Sequence, residues 1–157
     1  MNKTTKELVL QSIIAAVYVA ITFVFQSMSF MPQQFRVSEF MLILVLIHPK
    51  NALGIILGTL LANVFSSVGA VDIVVGTFAT YLSLKLMVRV QLKWLKYLMP
   101  SIINGIIIGI MLYAVLDFPL IYSAVSVFVS EAVVTFIPWF IIGDKIIKNK
   151  RIIEIFG

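Results

Sequence analysis

The sequence predicts an all-α membrane protein, a single bundle of six transmembrane helices with both termini in the cytoplasm. Three observations predict it. Apolar residues make up 61% of the chain and charged residues 12%, against roughly half and a quarter in a soluble domain, and lipid is the environment that absorbs such an excess. Apolar runs suited to membrane helices, with few charges, follow one another at 8–30, 38–48, 51–67, 72–90, 97–116 and 118–143. The basic residues then fall on alternate connections. With the N-terminus inside, Lys3, Lys6, Lys50, Lys85, Arg89, Lys93, Lys96, Lys145, Lys148, Lys150 and Arg151 all face the cytoplasm, and only Arg36 lies outside. Fusing the second and third runs into one span would strand Lys50 in hydrocarbon.

Taken in order, the first run lacks charge from residue 8 to residue 35, too long for a cleavable signal, so the span is expected to stay in the mature protein. Ala16 and Ala20 give it a small-residue face, more open to contact with another subunit than the glycine pairs elsewhere. The second run is abnormal. As an α-helix it would reach only about 16 Å of the roughly 30 Å apolar thickness. Its ends must be sheltered by protein or line a polar cavity, which makes the loop 31–37 and the helix start a candidate site. A structural hairpin in a thinned bilayer is the competing reading.

In the third and fifth runs, Gly54 with Gly58 and Gly105 with Gly109 have the spacing of close intramolecular helix packing. The fourth run leads into Lys85, Arg89, Lys93 and Lys96, expected on one helix face beside Trp94 and Tyr97. Snorkelling cations and interfacial aromatics explain this cluster without a ligand. The sixth run carries Glu131 about 18 Å from its outer end, with Pro138 loosening the helix beyond.

Ionisable groups at membrane depth are expensive, so each is a functional hypothesis. Glu7, Asp144 and Glu154 lie among cytoplasmic basic residues, and Asp117 precedes Pro119 in an outer turn; charge balance and capping account for them. Glu39, Asp72 and Glu131 remain. Ser123, Ser130 and Thr135 flank Glu131 as hydrogen-bonding company, though a glutamate that merely ties two helices together is the alternative. An N-cap would explain Asp72. A pair with Arg36 would explain Glu39. Together with Asn63 and Asn104, these groups describe an outer-half pocket for a small, polar, donor-rich or cationic molecule.

Several function classes are excluded. With no cysteine, the chain offers no thiolate chemistry or disulfide framework, and the single His48 cannot build a metal site without carboxylate help. There is no serine, histidine and acid set and no G-x-x-x-x-G-K-[ST] loop, so an enzyme is not expected and active transport would draw its energy from another subunit.

The ordered set Gln34-Phe35-Arg36-Val37-Ser38-Glu39, Gly54-Ile55-Ile56-Leu57-Gly58 with Leu61-Ala62-Asn63, Asp72-Ile73-Val74-Val75-Gly76-Thr77-Phe78-Ala79-Thr80 and Ser130-Glu131-Ala132 resembles the QueT family, the substrate-binding S components of energy-coupling factor (ECF) transporters assigned to queuosine precursors. Ser130 stands where the family pattern has glycine, and His48-Pro49-Lys50 replaces a more proline-rich connection. The resemblance implies a multi-pass S component of the cytoplasmic membrane. It would capture substrate from outside, dock through Ala16 and Ala20 on a transmembrane T component driven by two ATPase subunits, and topple to deliver its cargo. ATP would be used by the partners, with no cofactor in this chain.

The implied ligand class is a 7-deazaguanine bearing an aminomethyl group. Its guanine edge presents two adjacent N–H donors that suit one carboxylate, and its ammonium wants a second acid or an aromatic ring. Glu131 is expected at the guanine edge and Glu39 or Asp72 at the ammonium, exchangeably, with Arg36, Asn63 and Asn104 completing the site. An S component for another vitamin or nucleobase-like solute is the nearest rival. A self-contained channel or proton-coupled transporter using Glu131 is the rival from a different class.

Overall fold

The computed structural model describes residues 2–29 and 35–157. The last residue of the first expected span, residues 31–34 of the candidate loop and Gln34 of the family motif lie outside the described residues. Among those described, the chain is helices joined by turns, without strands.

Helix α1 (Lys3–Val24) starts more than a turn before its apolar run, because Asn2 Oδ1 accepts the Thr4 N–H at 2.9 Å and caps it. One separate turn follows at Gln26–Ser29. Helix α2 (Val37–Ile47) is a 3₁₀-helix over Val37–Ile43 and an α-helix only over Leu44–Ile47. The steeper rise of the 3₁₀ part stretches it to about 20 Å, longer than a plain α-helix but still short of a bilayer. Helix α3 (Ala52–Asn63) is shorter than the 51–67 run, since residues 64–69 form turns ending at Gly69, whose φ of 73° is one a side chain would resist. Helix α4 (Ala70–Arg89) and helix α5 (Lys93–Leu116) follow, α5 ending at Asp117 in the left-handed conformation (φ 55°) that aspartate tolerates.

Helix α6 (Leu120–Ile147) widens into π-helical turns at Ala132–Phe136 and Trp139–Gly143, on either side of Pro138. A proline lacks the N–H for an α-helical bond and crowds the preceding turn, so looser turns around it relieve both defects. A last helix, α7 (Lys150–Phe156), is absent from the sequence expectation; Asn149 Oδ1 caps it by accepting from Arg151 and Ile152. By length and composition α1, α4, α5 and α6 can each cross a membrane.

Polarity is inside out. Val24, Val74, Ile121 and Ile141 are 70–79% exposed, whereas Arg36, Glu39, Asp72 and Glu131 are 0–5% exposed. Such a surface is at home in hydrocarbon, and this is a membrane protein. The short α2 survives there because protein encloses it: Leu42, Ile43, Leu44 and Val45 join Ile14, Tyr18, Ile55, Met87 and Trp139 in the larger apolar core. Trp139 Nε1 donates to the Phe40 carbonyl at 3.1 Å, so the 3₁₀ backbone finds a partner inside the bundle.

The start of α1, the turn at residue 50, the start of α5 at Lys93, the end of α6 at Asp144 and helix α7 gather at one end of the molecule. Gln11 Nε2 donates to Asn51 Oδ1, and Asn51 Nδ2 donates to the carbonyls of Leu44 and Phe156. His48 Nδ1 accepts the Lys50 N–H, which makes this histidine a cap for the turn at Pro49. Lys50 pairs with Glu7 at 2.7 Å and Lys93 with Asp144 at 2.6 Å, so both acids balance charge as expected.

Two expectations need correction here. Lys85 and Arg89 end α4, but Val90 is extended and Lys93 opens α5, so the four cations do not share one helix; the chain must turn back to return the apolar 97–116 run to the membrane. Tyr97 does sit beside Lys93, whose ammonium lies 5.8 Å from its ring centre, but its ring turns into the protein rather than outward. It is buried, stacks edge-on to Trp139 and donates its hydroxyl to Asp144 at 3.1 Å.

The glycine pairs serve close helix packing within the chain. A Cβ on Gly58 would stand 2.7 Å from Tyr18 Cβ on α1, and one on Gly109 2.6 Å from Ala124 Cα on α6. Ala16 and Ala20 instead lie on the exposed face of α1. Gly109→Ala is therefore expected to destabilise the protein by about 1–3 kcal/mol through overpacking, read as a lower unfolding midpoint in detergent. Ala16→Leu, on the open face, leaves the midpoint unchanged.

Candidate functional site

The expensive polar groups converge. Arg36, just before α2, and Glu39, in its first turn, come from one side. Thr80 and Gly76 on α4, Asn104 on α5 and Glu131 on α6 come from the others, with Ile108 and Val127 closing an apolar wall. They surround a cavity of about 10 Å³, room for about one water molecule. On α4, Asp72, Gly76 and Thr80 recur every fourth residue and so share one face. A side chain at position 76 would collide with Asp72 Oδ1 and stand 2.7 Å from Asn63 Nδ2, which is why glycine occupies it.

The Arg36 guanidinium lies 3.6 Å from Asp72 Oδ2 and 4.0 Å from Glu39 Oε1. The expected pair with Glu39 is thus the looser of two, and neither reaches hydrogen-bond length. Asp72 is not an N-cap. It is the third residue of α4, the cap position belongs to Gly69, and both carboxylate oxygens turn inward without a hydrogen-bond donor.

Glu39 is held from α1. Tyr18, buried on the inner face of that helix, donates its hydroxyl to Glu39 Oε1 at 2.5 Å, and the Thr22 and Ser38 hydroxyls pair at 2.7 Å one turn further on. With Oε1 engaged, Oε2 is left as a buried acceptor without a partner. Glu131 lies where α6 passes from α-helix to π-helix, and its Oε1 is likewise unpaired. The flanking hydroxyls do not serve it as expected: Ser130 and Thr135 donate to the Ser126 and Glu131 carbonyls of their own helix.

Four of the six candidate residues, Arg36, Glu39, Asn104 and Glu131, line the cavity. Asp72 stands behind Arg36. Asn63 is one step further back, its Nδ2 donating to the Asp72 carbonyl at 2.9 Å and so joining the end of α3 to the start of α4. Tyr18 escaped the sequence reading, and Thr80 and Gly76 entered it only as part of the family motif, not as site residues. The four-residue step from Asp72 was the signal for the last two, and the Tyr18–Thr22 step on α1 the signal for the first.

Chemically, the site is a dense set of unsatisfied groups. Arg36 Nε and Nη2, Glu39 Oε2 and Glu131 Oε1 are all buried without hydrogen-bond partners among the described residues. Each such group costs on the order of 1–3 kcal/mol. A molecule offering N–H donors to the carboxylates and an acceptor to the arginine would relieve several at once.

Comparison with known proteins identifies a family. The model of a family described as QueT transporter covers residues 8–146 of this chain. No curated protein and no solved structure matches it.

The role of Tyr18 is testable without a ligand. Tyr18→Phe removes the hydroxyl donor from a buried carboxylate oxygen and is expected to cost about 1–3 kcal/mol of stability, measured as thermal or denaturant unfolding in detergent. Tyr113→Phe, at an exposed position on α5, is expected to change nothing.

Proposed function

The chain belongs to the QueT transporter family, and on that premise we propose that it is the substrate-capturing S subunit of an ECF-type importer for a queuosine precursor of the 7-aminomethyl-7-deazaguanine class. The carrying observation is the set of buried groups around one cavity that make no hydrogen bond among the described residues: two carboxylate acceptors, Glu39 Oε2 and Glu131 Oε1, and the guanidinium donors Nε and Nη2 of Arg36. A guanine edge supplies two adjacent N–H donors to one carboxylate, and the aminomethyl ammonium supplies a charge-assisted donor to the other.

The geometry favours Glu39 over Asp72 as the second ligand carboxylate, since Glu39 lines the cavity and Asp72 holds Arg36 from behind. Asn104 stays in the ligand shell, whereas Asn63 acts through the α3–α4 junction. A cavity of about 10 Å³ is far smaller than the few hundred Å³ of an ordinary ligand pocket. Binding therefore separates its walls, and the 3₁₀ segment of α2 and the π turn after Glu131 are the elements whose hydrogen bonding gives most readily.

In this reading the protein crosses the cytoplasmic membrane six times with both termini inside, and the end where the basic residues gather faces the cytoplasm. The shorter α2 and α3 cross under the shelter of the longer helices. The T component covers the Ala16 and Ala20 face, and two ATPase subunits supply the energy, consistent with a sequence that has no nucleotide-binding loop.

Glu131→Gln replaces a charged acceptor with an amide that has one oxygen. Losing a charge-assisted bond of about 1.5–3 kcal/mol predicts roughly 10- to 100-fold weaker binding of 7-aminomethyl-7-deazaguanine, measured by titration calorimetry on purified protein. Wild-type affinity in a normally folded Glu131→Gln variant would remove the central contact. Mass spectrometry of the molecule released from denatured wild-type protein identifies the ligand independently, with a 7-deazaguanine expected.

A further inference from the structure

A second cavity, far larger than the first, lies at the end of the molecule where the basic residues gather. It occupies about 260 Å³ between the end of α2, the start of α3 and the last two turns of α4. Val45, Ala52, Ile56 and Leu84 form its apolar walls, and Lys85 and Arg89 stand at its rim. Among the described residues, no carboxylate lies within ion-pair distance of either cation, whereas Lys50 and Lys93 nearby each have one. The Lys85 ammonium rests over the Tyr81 ring, 5.5 Å from its centre.

We infer that this groove binds one anionic phospholipid, its phosphate between Lys85 and Arg89 and the upper part of an acyl chain along Val45, Ala52, Ile56 and Leu84. Two features select a lipid over a water-soluble anion. Two of the groove's own lining side chains, Tyr81 and Val88, are exposed on a helix long and apolar enough to cross a membrane, so its occupant arrives sideways from the bilayer. Its long axis follows α4 from Arg89 to Tyr81, two helical turns or about 12 Å, so a headgroup at the rim carries an attached chain inward. Charge selects the lipid type. Two uncompensated cations at headgroup level favour a net-negative headgroup over a zwitterionic one. The site is separate from the Glu131 cavity, and the inference does not depend on which solute that cavity takes.

The test uses the full chain in a non-ionic detergent, with native mass spectrometry reading the occupancy of dioleoyl phosphatidylglycerol against dioleoyl phosphatidylcholine. Wild type is expected to prefer the anionic lipid by about tenfold or more, and Lys85→Gln with Arg89→Gln to lose that preference to within about twofold. Both side chains are exposed, so their replacement leaves the core intact. Lys145→Gln with Lys148→Gln makes the same change of charge at the same end and is expected to keep the preference, and Ala52→Phe, which fills the groove, is expected to lower the occupancy of both lipids. Equal occupancy of the two lipids by wild type would overturn the assignment, as would an equal loss in the Lys145 and Lys148 variant, which would reveal a diffuse surface charge. Displacement of the lipid by glycerol phosphate would reduce the site to a free-phosphate site. Unchanged lipid preference in the Lys85 and Arg89 variant, with lost association with partner subunits, would give the groove to a protein.

Discussion

Arg36 lies among three buried carboxylates in the interior of a bundle whose outer surface is apolar, and the rest of the structure is arranged around that fact. An ion removed from water costs several kcal/mol even after relaxation, so these groups persist only where other protein groups surround them. Asp72 and Glu39 flank the guanidinium, Tyr18 holds Glu39, and Asn63 fixes the backbone of Asp72. Apart from the local Arg36–Glu39 pair, each of these contacts joins two different segments of the bundle. The polar interior therefore specifies how the helices register, while the apolar contacts supply most of the adhesion.

The short α2 is the architectural consequence. Arg36 and Glu39 have to enter the bundle from a segment that does not need to span it, and the 3₁₀ winding carries them inward over few residues. Enclosure by α1, α3 and α6 makes such a segment tolerable. The close packing that encloses it depends in turn on glycine, with Gly54 and Gly58 bringing α3 against α1 and Gly105 and Gly109 bringing α5 against α6. Site and scaffold are also linked through α1. Its inner face carries Tyr18 and Thr22, bonded to Glu39 and Ser38, and its outer face carries Ala16 and Ala20. In the proposed importer, the helix that meets the T component is the one that holds a ligand carboxylate.

Much of this was legible in the sequence. The apolar runs located the helices, and the cost of charge at depth singled out Glu39, Asp72 and Glu131; Arg36, read as lying outside the membrane and as a possible partner of Glu39, is buried with them. The shortness of the second run marked α2 as the unusual element. What escaped had a physical reason in each case. Tyr18 looks like an ordinary aromatic of an apolar helix, and only the placement of α2 gives its hydroxyl a carboxylate. Asp72 and Asn63 have the polarity of ligand contacts but stand behind the cavity, a depth that residue type does not encode. The 3₁₀ and π windings differ from α by fractions of a residue per turn, too little to show in short apolar runs. The end of α4 at Arg89 was hidden because four-residue spacing of cations continues smoothly through a break in the helix.

The most direct test of the central claim is uptake of labelled 7-aminomethyl-7-deazaguanine into proteoliposomes, comparing the chain alone with the chain joined to a T component and two ATPase subunits. The account predicts that the lone chain binds the label but does not accumulate it, and that accumulation needs the partners and ATP. Flux through the lone chain without ATP would contradict it and make the protein a self-contained transporter.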